Sequence, residues 1–220
     1  MRIALIGFQT SGKTTVFNAL TGQNAATAAF GGGRGATNQA VVKVPDTRLD
    51  KMAELFKPKK FTPATVEYID LAGIAKQEGA AQGLGDQQLV EISTSDALLG
   101  VVRGFTDAMG TPPDPAGDIE AMALEMTFSD LQKVDNRLER IERAIARAQG
   151  KEKDMVLIEK GALERIKPVL EEGGQVRQVE LSEDELKALR GFQFLTLKPT
   201  MFLVNEGEEQ WQANQGKPVE

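Results

Sequence analysis

The sequence predicts an α/β protein built on a mostly parallel sheet and interrupted by a helical insertion. Three observations carry that reading. A short apolar run, Ile3–Ile6, stops at Gly7 and gives way to a glycine-punctuated loop and then a helical pattern, as a buried strand feeding a crossover helix would. Apolar strand-like runs then alternate with helical text, the arrangement of a parallel sheet covered on both faces. From about residue 118 the period becomes helical and stays so until a last strand near residue 200.

Taken in order, the helix after the first loop covers Thr14–Thr21, with Val16, Phe17 and Leu20 at helical spacing. Gln23–Asn38 turns to Ala, Thr and Gly, including Gly31-Gly32-Gly33 and Gly35; this predicts a flexible loop too poor in large apolar groups to pack. Gln39–Val44 and Thr65–Ile69 read as strands and Ala97–Val102 as a buried one. Between the last two lie a Gly- and Gln-rich loop and a helix over Asp86–Ser93, and Pro112-Pro113-Asp114-Pro115 marks a second irregular loop. Leu131, Val134, Leu138, Ile141 and Ile145 follow 3-4-3-4 spacing, the seam of a coiled coil or helical hairpin. Ser129 and Gln132 predict a capping box at its start, and Gly150 its end. A second helix is expected over Asp154–Glu172, with Leu163, Ile166 and Leu170 on one face, and a third from Ser182, where Glu185 completes another capping box. Thr200–Val204 returns to strand. The expected domains are a discontinuous one, 1–124 and 192–220, and a helical insertion, 125–191. The seam is read first as a scaffold burying itself and second as a surface for a partner.

Composition narrows the chemistry. The chain has 220 residues, 41% hydrophobic and 26% charged, with a net charge of −6. That balance opposes broad attraction to nucleic acid or anionic membrane, so no sequence-specific nucleic-acid partner is expected. There is no cysteine and no histidine, which excludes a thiol nucleophile, a disulfide framework and the usual general base. No apolar run approaches the roughly 18 residues that span a bilayer, and the first residues are too briefly apolar for a secretory signal. A cytoplasmic location without membrane contact is expected.

Gly7-Phe8-Gln9-Thr10-Ser11-Gly12-Lys13-Thr14 has two glycines five positions apart followed by Lys and Thr, the phosphate-binding P-loop pattern. Glycines let successive backbone N–H groups curl inward at phosphates, and the following helix adds its positive N-terminal end. Phosphate ligands are therefore expected at Gly7, Gln9, Thr10, Ser11, Gly12, Lys13, Thr14 and Thr15. Lys13 would meet the β- and γ-phosphates and Thr14 would ligate Mg²⁺. One strand later, Asp70-Leu71-Ala72-Gly73 offers a carboxylate for the same metal and an N–H, that of Gly73, for the γ-phosphate. Lys13 and Gly73 are the expected catalytic groups. After the last strand comes Asn205-Glu206-Gly207-Glu208. Guanine-specific relatives read Asn-Lys-x-Asp there; a Glu at the last position and the missing Lys should spoil the paired contact to guanine.

With the text between them, these elements resemble the Obg-like ATPase (YchF-type) family. The most specific stretch is Val66–Arg103, and Val44–Leu49, Asp118–Glu120 and Lys198–Met201 match in order. The resemblance implies a P-loop NTPase of the Ras-like G-domain type with a coiled-coil hairpin inserted before the base-recognition strand. It implies an Asn-x-x-Glu motif, Asn205 and Glu208, favouring ATP over GTP, although GTP stays possible. The implied function is a Mg²⁺-dependent nucleotide switch, with a ribosome or another protein met through the hairpin.

The departures matter too. The family has Asn-Val where this chain has Thr10-Ser11, and an aromatic-rich first switch where this chain has Phe30–Asn38. Thr37 is the candidate switch threonine closing on Mg²⁺. The family's histidine after the Val-Val-Arg strand has no counterpart in Phe105–Gly117. Only 15 residues follow Asn205, so the last strand and helix and the C-terminal TGS domain are expected to be missing. Ile74 stands where Ras-type enzymes keep a water-orienting Gln, and an aliphatic side chain cannot accept a hydrogen bond from water. Hydrolysis is therefore expected to be slow; Arg34 and Arg103 are read first as solvated surface charges and second as charge donors in cis. A GTP-specific GTPase and a non-hydrolysing, nucleotide-stabilised interaction module are the alternatives. The basic run Lys57-Pro58-Lys59-Lys60 is read first as a solvated loop and second as an RNA contact.

Overall fold

The apolar runs become five strands: β1 (Arg2–Ile6), β2 (Asn38–Lys43), β3 (Thr65–Asp70), β4 (Ala97–Gly104) and β5 (Thr200–Glu206). The computed structural model describes residues 1–25, 37–74 and 86–214. The glycine-rich segment with Arg34, and the Gly- and Gln-rich loop before Asp86, lie outside those residues. The strands form one sheet in the order β2-β3-β1-β4-β5. β1 pairs parallel with β3 and β4, and β4 parallel with β5. β2 pairs antiparallel with β3, so the sheet is mixed and mostly parallel. Burial follows position: central β1 and β4 are nearly continuous apolar runs with Ala4, Leu5, Val101 and Val102 fully buried, as strands covered on both faces require.

The chain divides into two units. The first comprises Met1–Lys76, Ser95–Pro115 and Thr200–Glu220; the second comprises Gln77–Thr94 and Ala116–Pro199. In the first, α1 (Lys13–Thr21) packs Val16 and Phe17 against Leu5, Ala40, Leu99 and Val101. α2 (Thr47–Phe56) starts where the Asp46 side chain accepts from the Arg48 N–H and buries no residue. The sequence reading missed this helix, although Pro45-Asp46 is an N-cap signal. α7 (Glu208–Asn214) was also missed.

The second unit holds α3 (Asp86–Ser93), found over the expected span, and the long pair α4 (Pro115–Arg147) and α5 (Lys151–Glu171). α6 (Glu183–Leu189) has the expected box: Ser182 accepts from the Glu185 N–H and the Glu185 side chain accepts from the Ser182 N–H. The capping box expected at Ser129 and Gln132 is absent. Ser129 is a buried residue inside α4, because the helix starts fourteen residues earlier at Pro115, whose fixed φ suits a first helical position. Val134 and Ile141 of the heptad seam pack with Ala162, Leu163, Ile166 and Leu170 of α5 and with Leu189 and Phe194; Leu131, Leu138 and Ile145 flank them. The seam is thus used within its own unit. Asp130, fully buried, ties the returning chain to α4 by accepting from the Leu195 N–H (2.9 Å), the Thr196 N–H (2.8 Å) and the Thr196 hydroxyl (2.9 Å).

Candidate functional site

Parallel strands bring their carboxyl ends to one edge, where open α/β sheets place ligands. β1 ends in the P-loop, β3 in Asp70 and β5 in Asn205-Glu206. The loop itself needs unusual backbone angles. Gly12 sits at φ +84° as the N-cap of α1, and the helix has neither a side-chain cap nor an acidic residue in its first turn. Its first N–H groups are therefore left to an external anion. A Cβ on Gly12 would lie 2.1 Å from Asn205 Nδ2, so a larger residue must push that amide aside as well as hold a left-handed backbone. Thr10 also adopts a left-handed φ of +63°, costly for a β-branched residue.

Lys13 is only 6% exposed and folds back over the loop, donating to the carbonyl oxygens of Gly7 (3.1 Å) and Phe8 (3.0 Å). Burial pushes its pKa from 10.5 down to about 8, against the opposing pull of the Asp70 carboxylate. Beside it, the Thr14 hydroxyl donates to Asp70 Oδ2 at 2.8 Å. The Asn38 amide donates to the same oxygen at 3.2 Å. Asp70 Oδ1 is buried with no hydrogen-bond partner, and so is Ser11 Oγ.

The expected site residues thus fall into groups. Lys13, Thr14 and Asp70 come together directly. Asn205, 194 positions after Ser11 in the chain, donates to the Ser11 carbonyl at 3.0 Å, fastening the end of β5 to the P-loop. Glu208 is exposed at the start of α7, 3.4 Å from Gln212 Nε2. Thr15 is exposed on α1. Thr37 is half-buried just before β2, and its neighbour Asn38 reaches Asp70. Sequence reasoning missed Asn38. Only the antiparallel register, which sets Asn38 opposite Asp70, reveals it.

The Asp70–Gly73 segment is docked on the P-loop. Phe8 and Ile74 form a parallel bridge: the Gln9 N–H donates to the Ile74 carbonyl (2.9 Å) and the Ile74 N–H to the Gly7 carbonyl (3.0 Å). The Gln9 N–H is therefore engaged within the protein. A Cβ on Gly73 would lie 2.8 Å from Gln9 Cα, so this approach needs glycine. Ile74 itself is 4% exposed. Arg103 is committed elsewhere: its guanidinium donates to the carbonyls of Phe105, Thr111 and Pro112 and pairs with Asp107 at 3.4 Å.

The profile of a family described as "50S ribosome-binding GTPase" matches residues 2–160. A "Ribosome-binding ATPase YchF" from Pasteurella multocida (strain Pm70) is 36% identical over 217 residues. The alignment covers 97% of this chain and 59% of that protein. The chain belongs to the YchF/Obg-like ATPase family. "Obg-like ATPase 1" of Oryza sativa subsp. indica is 32% identical over 99% of this chain and 55% of its own length. The solved structure of the Schizosaccharomyces pombe YchF GTPase superposes with a TM-score of 0.75 at 28% identity, covering 97% of this chain and 58% of that one. The chain therefore spans under three fifths of the length of these YchF-family relatives. Their printed names divide between ATPase and GTPase. No helix among the described residues is long and apolar enough to cross a membrane.

Proposed function

We propose that this chain is a Mg²⁺-dependent, nucleotide-switched protein that binds ATP in preference to GTP and hydrolyses it slowly. The observation that carries the reading is the Lys13–Thr14–Asp70 cluster at the uncapped N-terminus of α1. The buried Asp70 Oδ1 has no hydrogen-bond partner, while Oδ2 holds the Thr14 hydroxyl at 2.8 Å. Two hard oxygens so placed suit Mg²⁺, and Thr14 and Asp70 are the residues that would hold it. Among the described residues no group of three or more carboxylates converges, so phosphate oxygens and water would complete the coordination. Bound there with nucleotide, the cation would neutralise charge on the β- and γ-phosphate oxygens.

The chain's own groups supply the rest. Lys13 carries a desolvated ammonium already aimed into the loop, and α1 adds its free first-turn N–H groups. Gly73 would offer its N–H to the γ-phosphate, and Thr37, next to the residue that reaches Asp70, would close on the metal. Ile74 is buried against Phe8 and has no atom able to orient water, which supports slow turnover. The same observation favours the second reading, a non-hydrolysing module whose nucleotide only stabilises the fold. Asn205 braces the P-loop and Glu208 would face the base. Its longer arm relative to Asp favours adenine, in line with the relatives named ATPases, and the ribosome named for those relatives is the expected partner.

Fluorescent ATP and GTP analogues titrated with Mg²⁺, followed by a slow hydrolysis assay, test this. ATP should bind tighter and Glu208→Asp should shift preference toward GTP. Tighter GTP binding by the unaltered chain would overturn the base assignment, and binding without turnover would select the module.

A further inference from the structure

We infer that the turn from Phe56 to Phe61 is a contact surface for single-stranded RNA. The surface extends the ribosome-associated reading above and rests on none of its nucleotide chemistry. α2 buries no residue, and its last residue, Phe56, is 68% exposed, with Phe61 46% exposed just beyond. Between these rings stand Lys57, Lys59 and Lys60, all exposed. In a chain with 32 acidic and 26 basic residues, none of the three ammonium groups has a carboxylate partner among the described residues, and the nearby acids Asp50 and Glu54 of α2 do not pair with them. Lys57 moreover holds the left-handed C-cap of α2, at φ +42°, where glycine is the favoured residue. Stability is thus forgone for a charge at that point.

Two exposed rings bracketing three exposed cations are the combination that binds unpaired strands: ammonium groups meet phosphates and ring faces stack on bases, with little dependence on sequence. The turn also leaves the nucleotide site clear. It precedes β3, whose six residues carry the chain about 16 Å before Asp70, so both ligands can be held together.

The test is fluorescence anisotropy of a 5′-fluorescein 20-nucleotide polyuridine on the full chain, from 50 to 300 mM KCl. Three ammonium–phosphate contacts give a log–log salt slope of about −2. Lys59→Glu with Lys60→Glu should weaken binding at least tenfold at 100 mM salt. Phe56→Ala with Phe61→Ala should weaken it at least roughly thirtyfold, at about 1 kcal/mol or more for each stacked base. Lys57→Gly should raise the thermal midpoint while reducing the slope by about 0.7, a pair of changes that a purely structural lysine would not give. ATP-analogue binding, measured in parallel, should stay unchanged in every variant. Absence of saturable binding at 50 mM salt overturns the inference. So does equal affinity for a 20-base-pair RNA duplex with silent phenylalanine variants, or tighter binding of a labelled polyglutamate peptide through the same lysines, which would mark an acidic protein partner. RNA binding that persists when ATP-analogue binding fails supports this surface and overturns only the nucleotide reading.

Discussion

Lys13→Met should make the nucleotide-free protein more stable at neutral pH while abolishing triphosphate binding. Lys13 is 6% exposed, and burial lowers its pKa from 10.5 to about 8. Each tenfold change in proton affinity is worth about 1.4 kcal/mol, so the charged form is disfavoured by about 3 kcal/mol in the folded state. Methionine keeps the length and removes the charge. The carbonyls that lose the ammonium keep other donors: Gly7 accepts from the Ile74 N–H and Phe8 from the Ser11 N–H. The variant should therefore gain about 2–3 kcal/mol at pH 7.

The pH dependence fixes the sign. Below pH 8 folded and unfolded chains both carry the proton, and the full penalty applies. Between about 8 and 10.5 the unfolded chain binds more protons, so this contribution to stability rises with pH. Above 10.5 the amine is neutral in both states and the penalty is gone. The gap between variant and parent should thus close from pH 7 to 10.5, a difference that cancels the titration of other groups. Urea unfolding followed through Trp211, the only tryptophan and part of the first unit, measures it. Inorganic tripolyphosphate should stabilise the parent and leave the variant unmoved. A gap constant across that pH range, or a variant less stable at pH 7, would refute the argument.

Other substitutions probe separate links. Asp130→Ala orphans the buried N–H groups of Leu195 and Thr196 and should cost about 3–5 kcal/mol, read by denaturant unfolding of the helical unit; a loss under 1 kcal/mol would deny Asp130 its clasp role. Gly12→Ala places a Cβ where Asn205 Nδ2 lies and strains a φ of +84°; nucleotide affinity should fall at least tenfold, and retained affinity would show that Asn205 can swing away. Thr10→Asn replaces a β-branched residue at φ +63° with one that tolerates the left-handed region, and should raise stability by about 1 kcal/mol; calorimetry decides.

The sequence by itself determined the P-loop, because its function rests on local backbone geometry. Two glycines and the helix behind them set angles and free N–H groups within eight consecutive residues. It also determined the strands, since burial on both faces writes an unbroken apolar run, and the box at Ser182, whose partner lies three residues away. Local reading failed where one signal had two meanings. Ser129 and Gln132 have the spacing of a cap yet sit inside a helix that Pro115 had already begun. Asp46 signalled α2 and Leu49, Met52, Ala53 and Phe56 follow at helical spacing, but the stripe stays largely exposed instead of pressing into a core. The remaining features belong to tertiary structure alone. Asn38 reaches Asp70 only because β2 runs antiparallel to β3 in one register. Asn205 braces Ser11 across 194 positions, and Asp130 gathers donors 65 and 66 residues away. A hydrogen bond needs atoms within about 3 Å, and only the folded chain decides which distant residues come that close.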